Sequence, residues 1–285
     1  MWALMLHAGA TEIAPEKQEA YREGCAVALQ VGRDILEKGG SAVDAVLATI
    51  ISLENDSTFN AGYGCALNSC GEVEMNAALM DGKTMDIGAV AVLKRVKNPI
   101  LVANHLLREE TIFLAGDGAH DFAEAKGVEF CDPAALIAPG KYSKRSDTHD
   151  TVGCIALDEA GNFAAASSTG GIEGRPPGRI GDSPLPGCGY YAENGIGANT
   201  LSGDGEYIAR MMLPARIHHK MAQLGPQEAV ELSLAQMKRI GGEAGAIAIS
   251  QKGIMGWAHN SPHFAVGVAS SARPDQIYLQ KSEEE

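Results

Sequence analysis

Asp147-Thr148-His149-Asp150-Thr151-Val152-Gly153-Cys154-Ile155-Ala156-Leu157 divides the chain into two unlike halves. Before it, from 131 to 150, the pattern dissolves into Pro, Gly, Lys, Ser and Asp, the composition of an exposed and mobile linker. From Thr151 the chain turns strongly β: residues 151–158, a Glu159-Ala160-Gly161-Asn162 turn and residues 163–168 predict a hairpin. A threonine opening such a strand has two readings. It is a β-branched residue starting the strand, or a nucleophile uncovered as a new N-terminus by self-cleavage after Asp150. The second has a chemical logic, because a mid-chain hydroxyl needs a neighbouring base, whereas a freed α-amino group has an intrinsic pKa near ~8 on the same residue.

Outward from this junction, residues 1–7 predict a first strand, and 16–38 have helical periodicity stopped by Gly39-Gly40. Ser41 with Asp44 three residues on predicts a capped second helix through Leu53. Residues 72–78 and 87–93 read as sheet, and 98–108 and 119–126 as helices. In the second half, 170–189 is a Gly/Pro-rich candidate binding loop. Helices at 206–222 and 226–240 and strands at 244–250, 253–259 and 264–269 follow, and Ser282-Glu283-Glu284-Glu285 reads as a solvated tail. Two runs of helices around antiparallel hairpins predict an α+β chain of two stacked sheets with helices outside.

The 285 residues are 45% hydrophobic and 21% charged, ordinary for a globular protein, and can bury a full core. Lys and Arg number 23 against 36 Asp and Glu, and a net charge of −13 excludes partners that need a cationic surface, nucleic acid and anionic membrane among them. The apolar start lacks a basic flank and a small-residue cleavage site, and the longest near-apolar stretch, 45–53, is far short of a membrane span. A cytoplasmic protein is expected. The six scattered cysteines fit reduced core thiols, with no disulfide framework and no zinc-site spacing.

Several residues carry candidate chemistry. Thr169, in Ser167-Ser168-Thr169-Gly170-Gly171, ends the strand paired with the one Thr151 opens, so it is placed to hydrogen-bond the nucleophile. Arg179 and Asp182 set a cation and an anion three residues apart on a constrained loop, which suits a free amino-acid end and equally suits a salt bridge within a turn. Ser183 is discounted as a nucleophile, since Pro184 follows and Gly-x-Ser-x-Gly is absent. Ser202 and Gly203 precede a helix, where a hydroxyl and backbone N–H groups either stabilise an oxyanion or simply cap the helix. Asn60, in the Gly-rich turn Phe59-Asn60-Ala61-Gly62-Tyr63-Gly64, positions a catalytic group or satisfies the turn. The His218-His219 pair, His259 and His263 lack a metal-ligand pattern.

Taken together, these segments resemble the plant-type asparaginase and isoaspartyl peptidase family of N-terminal nucleophile hydrolases, which includes glycosylasparaginase. The likeness runs from about His7 to Ala269 and is dense in residues 39–46, 59–64, Met80-Asp81-Gly82, 149–153, 168–171 and 178–184. It implies one domain, 1–285, with an αββα sandwich fold that cuts itself between Asp150 and Thr151. The products would be an α subunit, 1–150, ending in the linker, and a β subunit, 151–285. The resemblance further implies Thr151 as nucleophile, Thr169 as its hydroxyl partner, Arg179 and Asp182 as the clamp on the substrate's α-carboxylate and α-amino groups, and Ser202 and Gly203 as the oxyanion site. Asn60 matches a position touching the active site. Backbone oxygens of Leu53, Glu54, Asp56, Phe59, Ala61 and Tyr63 match those that hold a structural sodium ion, and no cofactor is implied for catalysis. The implied substrates are L-asparagine and β-aspartyl dipeptides, and the implied assembly is a homodimer of cleaved protomers.

Two positions depart from the family pattern. Ser202 stands where the family usually has Thr, and its lost methyl is expected to loosen the rotamer. His7-Ala8-Gly9 stands for His-Gly-Gly, and a Cβ at position 8 is expected to restrict a glycine turn and slow self-processing. These departures keep open an unprocessed homologue that binds amino acids or peptides. Glycosylasparaginase is the alternative within the family, suggested by Met211-Met212-Leu213-Pro214 and opposed by residues 59–62 and by the missing signal sequence.

Overall fold

A computed structural model describes residues 1–139 and 150–284. Asp147, Thr148, His149 and the 140–149 part of the expected linker therefore lie outside the described residues. Strand β1 (Ala3–Thr11) is buried throughout. After a 3-10 turn at Pro15–Lys17, helix α1 (Gln18–Glu37) buries Tyr21, Cys25, Ala28, Leu29, Gly32 and Leu36, one face at helical spacing. Ser41 caps α2 (Ala42–Glu54), its Oγ accepting the Asp44 N–H at 3.1 Å as the capping-box spacing predicts. Strands β2 (Met75–Asp81) and β3 (Ile87–Leu93) and helices α3 (Pro99–Leu106) and α4 (Gly116–Ala125) follow the sequence reading. The three-residue β4 (Phe113–Ala115) between the helices is too short to show a period of two.

The expected hairpin forms from β5 (Val152–Leu157) and β6 (Phe163–Thr169), with Val152 opposite Ser168. Two further strands, β7 (Tyr190–Glu193) and β8 (Gly197–Gly203), escape the sequence pattern, because Asn194 and Gly195 read as loop and β8 is buried on both faces. The single helix expected at 206–222 is two, α5 (Gly205–Met211) and α6 (Leu213–Met221). Pro214 cannot donate an N–H to a continuous helix, and Met212 takes the left-handed conformation at φ 48°. Helix α7 (Pro226–Lys238) and strands β9 (Ala244–Ser250), β10 (Met255–His259), β11 (His263–Ser270) and β12 (Arg273–Tyr278) close the chain. The acidic terminus is no free tail: the Glu283 carboxylate accepts from Arg22 at 2.9 Å and from the Leu279 N–H at 3.1 Å.

The strands build an eight-stranded sheet, in the order β12-β11-β1-β5-β6-β2-β3-β4, and a four-stranded sheet, β10-β9-β8-β7. Every pairing is antiparallel except β3 with β4. Leu4, Leu6, Cys154 and Ala166 pack beneath Leu29, Val46 and Ile50 of α1 and α2. On the opposite face of the large sheet, Met5, Ile155 and Phe163 meet Tyr190, Ile247 and Trp257 of the small one. Leu201 and Ala246 cover the far side of the small sheet together with Ile208, Ile217 and Val230 of α5 to α7. This is the expected α+β, four-layer αββα sandwich. Burying each such Leu, Ile or Phe side chain contributes about 1.5–3 kcal/mol, so three apolar layers fix the strand ends between them firmly.

Residues 131–139, read from composition as the start of a linker, include a 3-10 turn at Pro133–Leu136. Leu136 is buried beside Cys65, Val73 and Met75, and its carbonyl accepts the Gly64 N–H at 2.8 Å. All six cysteines are free thiols, with Cys25, Cys65 and Cys154 buried. Among the described residues, no helix is long and apolar enough to cross a membrane.

Candidate active site

Three strand ends meet at one place. Thr151 immediately precedes β5, Thr169 ends β6 in the same sheet, and Ser202 and Gly203 end β8 in the facing sheet. The Thr151 N–H, part of the Asp150–Thr151 peptide, donates to Ser202 Oγ at 3.1 Å, and the Ala10 N–H donates to the same oxygen at 3.3 Å. Ser202 is thus a strand residue reaching between sheets, and the helix cap is Asp204. The Thr151 hydroxyl lies 2.9 Å from Ser183 Oγ, and Ser167 Oγ donates to the Ser183 carbonyl at 2.6 Å. Thr151 itself is 8% exposed.

Asp150, Thr151, Thr169, Gly171, Ile172, Arg179, Asp182, Ser183 and Gly203 line one cleft. In this uncut chain its volume is about 10 Å³, room for a single water and far below the few hundred Å³ of a ligand pocket. Asp150 is one of the residues that line the cleft. A wider hollow of about 430 Å³ lies elsewhere, between Ser41, Asp81, Asp86, Arg108 and Asp158, and holds none of the candidate catalytic or substrate-binding residues. Breadth does not mark the site here; convergence of reactive groups does.

Behind Asp150 lies Gly9. Its φ of +104° belongs to a bulge in β1, where the register to β11 shifts between His7 and Ala10. A Cβ built on Gly9 would stand 2.6 Å from Asp150 Oδ1. Ala8, by contrast, is an ordinary strand residue paired with Val152, its methyl buried in the core under the helices. The glycine turn expected at position 8 is therefore at position 9, and Ala8 restricts no turn. His7, opposite Gly153, is pushed down to about 3 by burial and is neutral, so it cannot serve as a cationic partner.

Arg179 is held side-on by Glu206, its Nε and Nη2 each donating at 2.9 Å. Asp182 is buried, and its Oδ2 has no hydrogen-bond partner among the described residues. Burial pushes its carboxyl up to about 7; backbone N–H groups and the Arg179 charge hold it down, while Glu206 adds to the rise. Such a carboxylate is poised for a cation. The turn salt bridge weighed from sequence does not form, since Arg179 pairs with Glu206. The long loop bearing this pair is braced by buried Arg175, which donates to the carbonyls of Ala66, Ile172 and Glu74, and by Glu74, which accepts the Gly178 N–H at 2.9 Å.

Thr169 and Thr151 share the cleft, but the Thr169 hydroxyl here accepts the Gly171 N–H at 2.9 Å. Asn60 does not line the cleft. It ties the Gly170-Gly171 turn in place, donating to the Gly171 carbonyl at 2.7 Å and accepting the Ala66 N–H at 2.7 Å. The rest of its loop folds back on the end of α2: the Tyr63 N–H donates to the Glu54 carbonyl at 2.7 Å, and a Cβ on Gly62 would stand 2.3 Å from that oxygen. Leu53 and Glu54 end α2, and Asp56, Phe59, Ala61 and Tyr63 lie in the loop after it; their carbonyls are oxygen donors of the kind a hard cation takes, and those of Leu53, Glu54 and Asp56 also accept N–H groups of the same loop. Met211, Met212, Leu213 and Pro214 fall at the break between α5 and α6 and do not line the cleft.

Sequence reading missed Ser183 as the partner of the Thr151 hydroxyl, having weighed it only as a nucleophile. It also missed Glu206, Glu74 and Arg175. The signal for Ser183 was its place next to Asp182; no local signal marked the other three, whose partners, Ile172 of Arg175 excepted, are distant in sequence.

The family described as Asparaginase matches residues 1–145 and 134–279. Among curated proteins, the chain is 41% identical over 278 residues to the isoaspartyl peptidase/L-asparaginase of Homo sapiens, covering 90% of each chain. It is 39% identical to that of Danio rerio, over 90% of this chain and 87% of the relative. A probable isoaspartyl peptidase/L-asparaginase of Drosophila melanogaster is 35% identical, over 93% and 91%.

Proposed function

The chain belongs to the asparaginase family, and from that premise we propose that it is a self-cleaving threonine amidohydrolase releasing aspartate from L-asparagine and β-aspartyl dipeptides. The observation that carries the reading is the placement of the Asp150–Thr151 junction in one cleft with Arg179 and Asp182. In self-cleavage, the Thr151 hydroxyl attacks the Asp150 carbonyl in an N-to-O acyl shift, and water hydrolyses the resulting ester. The freed Thr151 amine then takes the proton of its own hydroxyl, which attacks the substrate's β-carbonyl. Ser202 Oγ and the Gly203 N–H receive the oxyanion, ammonia or the amine of the second residue leaves with a proton, and water releases aspartate from the acyl-enzyme. Thr169, next to Thr151, supports the nucleophile, and Asn60 holds the turn behind it. The products are residues 1–150 and 151–285 of one domain, assembled as a homodimer in the cytoplasm. A structural sodium ion would be held by backbone oxygens of Leu53, Glu54, Asp56, Phe59, Ala61 and Tyr63, would brace that loop, and would supply no step of the chemistry.

The test is the denatured mass of protein held for days at neutral pH, followed by assays on asparagine and a β-aspartyl dipeptide. Two fragments ending and beginning at Asp150 and Thr151, with turnover, are expected. A persistent single species without turnover overturns the proposal.

The pH profile carries a further expectation. Asp182 must be ionised to take the substrate's ammonium, and with its carboxyl raised to about 7 it is neutral below that pH. The Thr151 amine, near ~8, must also be unprotonated. The slope of log kcat/KM against pH is therefore expected to steepen from about one to about two as pH falls through about 7. Asp182→Asn should abolish the second step while lowering kcat/KM at every pH; an unchanged profile would remove Asp182 from the clamp.

A further inference from the structure

Glu206 stands in the first turn of α5 with 53% of its side chain exposed. Its carboxylate nevertheless engages Arg179 on the Nε edge of the guanidinium. A guanidinium has five N–H donors, and side-on pairing leaves the end-on edge, Nη1 with the second Nη2 hydrogen, for another carboxylate. Gly205 lies between the two charged heads of the cleft: a Cβ there would fall 3.1 Å from Arg179 Nη2 and 2.6 Å from Asp182 Oδ1. Arg179 is thus flanked by two carboxylates, Glu206 from the rim and Asp182 from the buried side. A ligand bringing only a carboxylate adds a third anion around one cation. A ligand that also brings an ammonium restores the balance.

We propose that Glu206 sets the specificity of this cleft: by neutralising Arg179 from outside, it makes the site require an α-ammonium together with the α-carboxylate and reject plain dicarboxylic acids of the same length. The inference rests on the reading of the cleft as an aspartyl-amide site. Glu206 acts through Arg179 and is a positioning residue. Without its charge, Arg179 becomes a cation sufficient to hold a carboxylate by itself, so the gain falls mainly on ligands lacking the ammonium. Because the Glu206 side chain is half exposed, the expected change is about fivefold and not hundreds.

The experiment uses the matured protein hydrolysing asparagine at pH 8, with L-aspartate and succinate as competitive inhibitors. In Glu206→Gln, which keeps a planar acceptor for Arg179, the succinate-to-aspartate ratio of inhibition constants is expected to fall about fivefold. Glu206→Asp should restore it toward the wild-type value. Glu206→Ser carries the same expectation as Gln if the Gln variant fails to mature. A ratio that stays constant while KM rises would make Glu206 a structural brace and overturn the inference, leaving the proposed function intact. A wild-type protein that cleaves itself and hydrolyses neither substrate would instead overturn the functional reading, and the ratio would then be read by calorimetric titration of the two acids.

Discussion

Thr151→Ala is expected to remain a single 29.8 kDa chain indefinitely and to hydrolyse nothing. Two losses combine in this variant. In the uncut chain the only reactive atom of residue 151 is its hydroxyl, held 2.9 Å from Ser183 Oγ while the N–H of the same residue is fixed on Ser202. Removing the hydroxyl removes the attacking atom of the acyl shift, and no rearrangement of neighbours supplies another on the same residue. Without cleavage, Asp150 stays part of a cleft of about 10 Å³, too small to admit a substrate. The loss in hydrolysis should match what nucleophile removal costs in other acyl-transfer enzymes, on the order of a millionfold. Denatured mass and an ammonia-release assay read both losses. Slow scission of the Thr151→Ala chain between residues 150 and 151 would mean that a different group carries the attack, with the hydroxyls of Ser183 and Ser202 the first to replace.

Those contacts also mark what a sequence can and cannot disclose. The hairpin of β5 and β6 was legible because two apolar runs flank the Glu159-Ala160-Gly161-Asn162 turn, and that hairpin places Thr151 beside Thr169. Arg179 and Asp182 were legible as a pair of opposite charges on a stiff loop. The partner of Arg179 was not: it is Glu206, twenty-seven residues away in the first turn of α5, and no local pattern foretells a contact made by tertiary folding. Strand β8, which carries Ser202 and Gly203, was hidden for a related reason. Its alternate residues face two different apolar layers, Ala198 toward the large sheet and Leu201 toward α5 to α7, so the chain shows no polar alternation to read. The break at Met212 was foreshadowed by Pro214, yet the helical periodicity on either side concealed it. Composition gave no sign of the 3-10 turn at Pro133–Leu136 within the stretch read as linker, because a short turn and a loop draw on the same residues.

Gly9→Ala is expected to slow self-cleavage by about a hundredfold, while Ala8→Gly is expected to leave it at the wild-type rate or slightly below. Position 8 attracted notice in the sequence because glycine is usual there, yet its backbone is strand, it pairs with Val152, and its methyl fills space in the core between β1 and the helices. Replacing it by glycine removes a packed methyl and adds unfolded-state freedom, a stability loss of about 1 kcal/mol with no gain at the junction. Position 9 is different. Its φ of +104° costs an alanine about 1–3 kcal/mol of backbone strain, and the new Cβ would stand 2.6 Å from Asp150 Oδ1 and 3.1 Å from Asp150 Cα. Relief requires Asp150 to move, and the Asp150 carbonyl is the group the Thr151 hydroxyl must reach. A displacement of ~1 Å at a reacting centre is worth roughly a hundredfold in rate. Timed denatured masses of the two variants at neutral pH decide the matter. Faster cleavage by Ala8→Gly, with Gly9→Ala unaffected, would place the constraint on residue 8 after all and detach the bulge in β1 from the chemistry. The expected order instead makes that bulge the backstop of the scissile bond, with Ser202 holding the amide from the facing sheet and Gly9 holding the carboxyl side from its own.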